Sequence, residues 1–195
     1  RIKNLLIILF LCSLSIFSFV ACAENEQNSD KLIILGDMVF TERSDGTYSV
    51  DAANKNISGD LVIPSTYNGK SVTALVKARK SNGAFWGCSQ ITSVTIPSSI
   101  TFITGYAFGQ CNGVTRVTVE SGNPNYYSSG NCIIEKATGT VVCGFKNSVI
   151  PDDGSITTIG EKAFRSIDIT DITIPEGVTL IDSQAFSSCR SLASV

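Results

Sequence analysis

The chain repeats itself, and the repeat is short. Residues 91–113 read ITSVTIPSSITFITGYAFGQCNG and residues 169–191 read ITDITIPEGVTLIDSQAFSSCRS. Ten of these 23 positions are identical: Ile91, Thr92, Thr95, Ile96, Pro97, Thr101, Ile103, Ala107, Phe108 and Cys111 all recur in the second stretch. Residues 114–119 (VTRVTV) open another copy, which residues 149–164 (VIPDDGSITTIGEKAF) close. Residues 61–64 (LVIP) and 84–88 (AFWGC) form a looser copy, and residues 192–195 (LASV) begin a further one. A unit of this size cannot bury both of its faces alone. Copies must therefore stack, each one covering the next.

Within a copy, Ile91, Val94 and Ile96 are expected to point inward from a short strand, with Thr92, Ser93 and Thr95 between them. Pro97 ends the strand, since it cannot donate to a ladder. Ile100 and Ile103 bring the chain back to the core, Ala107-Phe108 packs under the next coil, and Cys111 fills the last inward slot before Val114. Cys88, Cys111 and Cys189 share that slot, three residues after a Phe, and Ile167 occupies it in the third copy. An aliphatic substitute says that the slot wants a small buried hydrophobe. Phe85, Cys88, Phe108, Cys111, Phe164, Phe186 and Cys189 are thus expected to be structural core.

The pattern L-T-S-V-T-I-P-x-S-V-T-x-I-G-x-x-A-F-x-x-C resembles the BspA-like branch of leucine-rich repeats over about residues 57–195. The resemblance implies a mostly β fold with short helical turns, wound as a right-handed solenoid over residues 61–195. It also implies a cell-surface role in attachment to host matrix proteins, host cells or other bacteria, with a protein or a glycan as partner.

The first residues differ in kind. Arg1 and Lys3 precede an apolar run from Leu5 to Val20, which ends on Phe19-Val20-Ala21-Cys22. Its length suits a signal peptide over residues 1–21. The ending resembles a bacterial lipobox, with Phe19 where Leu is usual, which implies lipidation of Cys22. Residues 22–36 then serve as a polar tether. The expected location is the bacterial cell envelope, lipid-anchored on an outward-facing outer membrane; an ordinary signal peptide cut near Ala21 or Ala23 is the alternative. The missing initial Met and the unfinished copy at residues 192–195 lead us to expect a longer natural chain, truncated at the C-terminal end.

Three stretches break the repeat. Residues 37–60 alternate around Ser44-Asp45-Gly46 and predict a β-hairpin cap over the first coil. Residues 77–83 (KARKSNG) form a loop with three cations. Residues 120–148 form an inserted hairpin, with Tyr126 and Tyr127 after Asn123-Pro124-Asn125. Either Tyr seals the insertion onto the solenoid or offers contact area. A turn centred on Ala137-Thr138 would set Cys132 opposite Cys143 and Ile133 opposite Val142, so a Cys132–Cys143 disulfide is expected in an oxidising compartment.

Composition removes several functions. The chain has no His, which takes away the commonest general base and most zinc sites. It lacks a Gly-x-Ser-x-Gly elbow, a Gly-rich phosphate loop and a C-x-x-C pair. No catalytic residue, metal or cofactor is expected. With 15 Lys and Arg against 17 Asp and Glu and no basic block, nucleic acid is not an expected partner. The candidate binding surface is the outward strand face: Thr92, Ser93, Thr95, Thr115, Arg116, Thr118, Thr170, Asp171 and Thr173, joined by Tyr126 and Tyr127. Two readings follow: an adhesin-like binding module, or a structural or accessory envelope lipoprotein without host contact.

Overall fold

β-branched side chains alternate along every copy, and such residues suit a pleated, half-buried surface. The computed structural model describes residues 32–77 and 83–195, where they form fourteen strands. These are β1 (Leu32–Leu35), β2 (Met38–Glu42), β3 (Tyr48–Ala52), β4 (Ser58–Val62), β5 (Thr66–Tyr67), β6 (Lys70–Leu75) and β7 (Gln90–Ile96). They continue with β8 (Phe102–Ile103), β9 (Arg116–Val119), β10 (Tyr126–Ser129), β11 (Cys132–Glu135), β12 (Thr140–Gly144), β13 (Thr158–Ile159) and β14 (Leu180–Ile181). The signal peptide, Cys22 and the loop cations Arg79 and Lys80 lie outside the described residues.

Within residues 37–60, β2 pairs antiparallel with β3 as a hairpin. Two features differ. Residues 32–35, assigned above to the tether, form β1 and pair with β2. β3 runs parallel to β6 of the first coil, so the cap continues that coil's ladder into β8. A second sheet is wholly parallel, β4–β7–β9, with Leu61, Val94 and Val117 in one inward row. The third runs β10–β11–β12 antiparallel and then β13 and β14 parallel.

The expected short helical turns are replaced by reverse turns: no helix occurs among the described residues. The backbone donors explain why. At the first Phe corner, Trp86 N and Cys88 N donate within the coil, to Gly83 O and Phe85 O (3.2 Å each). The intervening Phe85 N and Gly87 N donate to the next coil, at Ala107 O (2.7 Å) and Gly109 O (2.8 Å). The same alternation recurs where Phe164 N and Ser166 N reach Ala185 O and Ser187 O. With every second donor committed to a neighbour, consecutive i→i−3 bonds cannot form and a helix has no start. The third residue of each turn is left-handed: Gly87 at φ 81°, but Gln110 at 60°, Ser166 at 58° and Ser188 at 62°. For the three non-glycines this costs about 1 kcal/mol each.

Inside, phenylalanines form a row. Phe85 stacks on Phe108 at 5.5 Å, Phe108 meets Phe145 at 5.7 Å, and Phe164 stacks on Phe186 at 5.2 Å. Phe85, Phe108, Cys88, Cys111 and Phe164 are buried, whereas Phe186 and Cys189 are only half-buried. Phe145 is a member of the row that the repeat pattern does not announce. It arrives on Gly144, where a Cβ would lie 2.0 Å from the Phe164 ring. Residues 140–145 thus belong to the stack, and the excursion away from it is shorter than 120–148.

The excursion replaces backbone ladder with side chains. Val117 N donates to Asn131 Oδ1 (3.0 Å) and Val119 N to Ser128 Oγ (3.1 Å), ending the parallel sheet at β9. Ile103 N donates to Tyr126 Oη (3.2 Å) beside β8. Asn123, 1% exposed, bridges the two: its Nδ2 donates to Pro97 O and Ile100 O, and its Oδ1 accepts from Asn125 N and Tyr126 N. Four bonds satisfy both ends of a buried amide, and leaving either open would be costly.

The hairpin turn centres where expected, with Glu135 opposite Thr140 and Ile134 opposite Val141. A β-bulge then adds one residue, so Ile133 faces Cys143 and Cys132 faces Gly144. The expected Cys132–Cys143 disulfide is therefore corrected: both thiols are free, and the two residues belong to different apolar clusters. One extra residue in a strand sends the next side chain to the other face.

Candidate functional site

The parallel sheet sorts its residues by face. Outward rows run Asp60–Ser93–Arg116 and Val62–Thr95–Thr118, on either side of the buried Leu61–Val94–Val117 row. Thr92, Thr115, Arg116 and Thr118 are exposed and Thr95 is half-exposed. Ser93, 7% exposed, is held by Asp60 Oδ1, which also accepts from Thr92 Oγ1 (3.5 Å). Thr115 Oγ1 donates back to Thr92 O (3.3 Å). The result is a largely polar face with one carboxylate, one guanidinium and a strip of threonine, beside one exposed apolar side chain, Val62.

The candidate surface divides into unequal parts. Thr170, Asp171 and Thr173 are exposed but stand outside this sheet; Asp171 bridges only to Ser194. Tyr126 is withdrawn from the contact set. It is 4% exposed, with its hydroxyl accepting from Ile103 N, and burial pushes its phenol up. Tyr127 is half-buried, its hydroxyl 3.4 Å from Ser155 Oγ. Tyr126 thus seals the insertion, the other reading of the pair.

The cysteine slot has a use that the pattern did not show. Cys111 Sγ donates to Phe85 O (3.1 Å) and Cys189 Sγ to Phe164 O (3.0 Å), each reaching the preceding coil. Cys143 Sγ points at Thr104 O (3.7 Å), and Cys88 Sγ at Asn54 O (3.7 Å). A thiol here fills apolar space and gives a carbonyl a weak donor. Burial pushes the Cys88 and Cys132 thiols up to about 11 and Cys143 to about 12. Cys111 and Cys189 shift upward for the same reason. The fully buried thiols of Cys88, Cys111, Cys132 and Cys143 are inert near neutral pH. Among the described residues, no group of His, Cys, Asp and Glu converges to hold a metal ion. Nor is any helix among them long and apolar enough to cross a membrane.

Comparison with known proteins identifies the repeat. The BspA type leucine-rich repeat region matches residues 78–138 and 141–195 in six copies. Solved structures of leucine-rich repeat proteins are similar. One from Bacteroides ovatus is 25% identical with a TM-score of 0.46, covering 84% of this chain and 40% of its own. One from T. pallidum is 22% identical with a TM-score of 0.47, covering 85% of this chain and 71% of its own. A leucine-rich cell surface protein from Faecalibacterium prausnitzii is 21% identical with a TM-score of 0.41, covering 86% and 55%. The chain thus spans less than half the length of the Bacteroides ovatus protein. None of the curated proteins matches it. Repeats of this type generally serve in binding rather than in catalysis. On the repeat match over more than half its length, together with the stacked coils that carry it, the chain belongs to the BspA-type leucine-rich repeat family.

Proposed function

We propose that this chain is a cell-surface adhesion module that engages proteins on host or bacterial surfaces through the outward face of β4, β7 and β9. One observation carries the reading. Arg116, Thr115 and Thr118 are exposed on a parallel sheet whose inward rows fill the core, and this exposed face supports the reading. Side chains held on strands meet a partner with little ordering cost. Cys22 would anchor the module through its acyl chains, each worth about 0.8 kcal/mol per buried methylene.

Immobilised matrix proteins test the face directly. Arg116→Glu with Thr118→Asp should lower capture of the protein by about tenfold or more, equivalent to about 1.4 kcal/mol. Capture unchanged by both substitutions rejects the face. Protease treatment of intact cells should remove the protein; protection from protease with no capture favours the accessory envelope role. Cys22→Ala should release the protein from membranes, and normal membrane retention of that variant rejects the anchor.

A further inference from the structure

The Phe-corner turns open to solvent along a groove of about 480 Å³ that crosses four coils. Hydrogen bonds tie its layers together. Gly87 N reaches Gly109 O, Asp168 N donates to Asn112 Oδ1 (2.9 Å), and Ser166 N reaches Ser187 O. The groove is therefore continuous across the junction where the insertion leaves the stack. Gln110, Ser166 and Ser188 line it from the third position of the Phe108, Phe164 and Phe186 turns, and Asn112, Asp168 and Arg190 from two residues further on. Gly87 and Ser89 complete the first layer.

We propose that this groove is a binding site for a linear, neutral oligosaccharide lying along the stack, with about one sugar ring per coil. The lining is built of amides and hydroxyls that both donate and accept, the same dual character that sugar hydroxyls carry. Asp168 adds a strong acceptor; the Ser191 hydroxyl, with Lys146 beside it at 3.6 Å, holds its carboxyl below the ordinary range. Lys146 offsets Asp168, which leaves Arg190 as the one further charge in the lining, too few cations for a polyanion site and no surplus of carboxylates for a polycation. A polypeptide fits poorly. The apolar side chain in the lining is Ile167, 2% exposed, which leaves no pocket for an anchoring side chain. The turn donors are already committed between coils, so no strand edge is offered for addition. Adjacent parallel chains advance about 4.8 Å per layer, close to the advance of one extended pyranose.

The groove and the sheet face are different surfaces, so their tests are independent. The full chain is titrated calorimetrically with cello- and chito-oligosaccharides from monomer to hexamer, with hyaluronan fragments as an anionic control. Affinity should climb with length to about four rings, then level, and change little with added salt. Gln110→Gly keeps the left-handed turn that Gly87 shows glycine to fill, so it should fold normally while lowering affinity about tenfold. Arg190→Ala should lower it similarly, and Arg116→Glu should leave it unchanged. Four results overturn the proposal: no neutral oligosaccharide binds; affinity collapses with salt; both groove variants bind as well as the parent; or Arg116→Glu abolishes binding.

Discussion

Coils 91–113 and 169–191 share their turns, their strand ends and their Ala-Phe-x-x-Cys corner, yet they bury them differently. Ile103 is 5% exposed and its counterpart Ile181 is 49% exposed. Phe108 and Cys111 are fully enclosed, while Phe186 and Cys189 are half-buried. The local backbone is nevertheless the same. Cys111 N closes on Phe108 O and Cys189 N on Phe186 O, with Gln110 and Ser188 both left-handed between them. At this corner the coil's own residues set the conformation and its neighbours set how much it is worth; the strand differs, since β7 has only the Asp171–Ser194 bridge as its counterpart. The first coil lies between the Phe85 and Phe145 layers, whereas Phe186 stacks on Phe164 alone among the described rings.

The largest test removes the same ring from each coil. Phe108→Ala should cost about 3–5 kcal/mol, and Phe186→Ala about half of that or less, in urea unfolding. Equal losses would break the comparison.

A second test exchanges one residue between the coils. Gly109 lies under Trp86, whose ring would sit 2.1 Å from an added Cβ, and Ser187 holds the equivalent place in the other coil. Gly109→Ser should therefore cost about 1–3 kcal/mol, and Ser187→Gly about 0.5 kcal/mol or less. It should also loosen the Arg165 guanidinium, which lies 5.6 Å over the Trp86 ring.

Alkaline pH sharpens the contrast through the thiols. Folding raises their ionisation above the ordinary value of 9.0, so the unfolded chain loses those protons first. Stability should hold below pH 9 and fall between pH 9.0 and about 12. The slope is about 1.4 kcal/mol per pH unit for each fully buried thiol. Cys143→Val should flatten that decline more than Cys189→Val. Maleimide labelling at pH 8 should mark Cys189 before Cys111 or Cys143 and find Cys132 and Cys143 unbridged; a bridged pair would reject the bulged register.

The smallest expected effect falls on the exposed counterpart of Ile103. Ile103→Thr should cost about 2 kcal/mol, and Ile181→Thr about 0.5 kcal/mol or less. A large effect at Ile181 would show that it is covered in solution.

Side-chain periodicity made much of this legible. The strand at Gln90–Ile96, the Phe and Cys slots and the N-terminal hairpin follow from alternation and from recurrence of the same residue at the same offset. What escaped was set by non-periodic contacts. Phe145 lacks the preceding Ala that marks its relatives, so its place in the row shows only once Gly144 meets Phe164. The bulge at Cys143 leaves no mark in composition, and one residue of register decided whether two cysteines could bond. Tyr126 looked like a contact residue because tyrosine often is one, but its hydroxyl was needed at Ile103 N. The groove was hidden for another reason: its lining residues vary from copy to copy, Ser89, Asn112, Asp168 and Arg190 at one offset, so repeat comparison passes over them.

The interruption at β9 also has a mechanical consequence. On either side of it the parallel strands are joined by backbone rungs, but at β9 the rungs are the side chains of Ser128 and Asn131. A pull along the stack loads every rung in turn, as a zipper does. Side-chain rungs can swing on their rotors and stretch before they part; backbone rungs cannot. The molecule is thus built with a compliant link near its middle, where extension under load would concentrate, leaving the sheet on one side and the later coils on the other to travel as intact blocks.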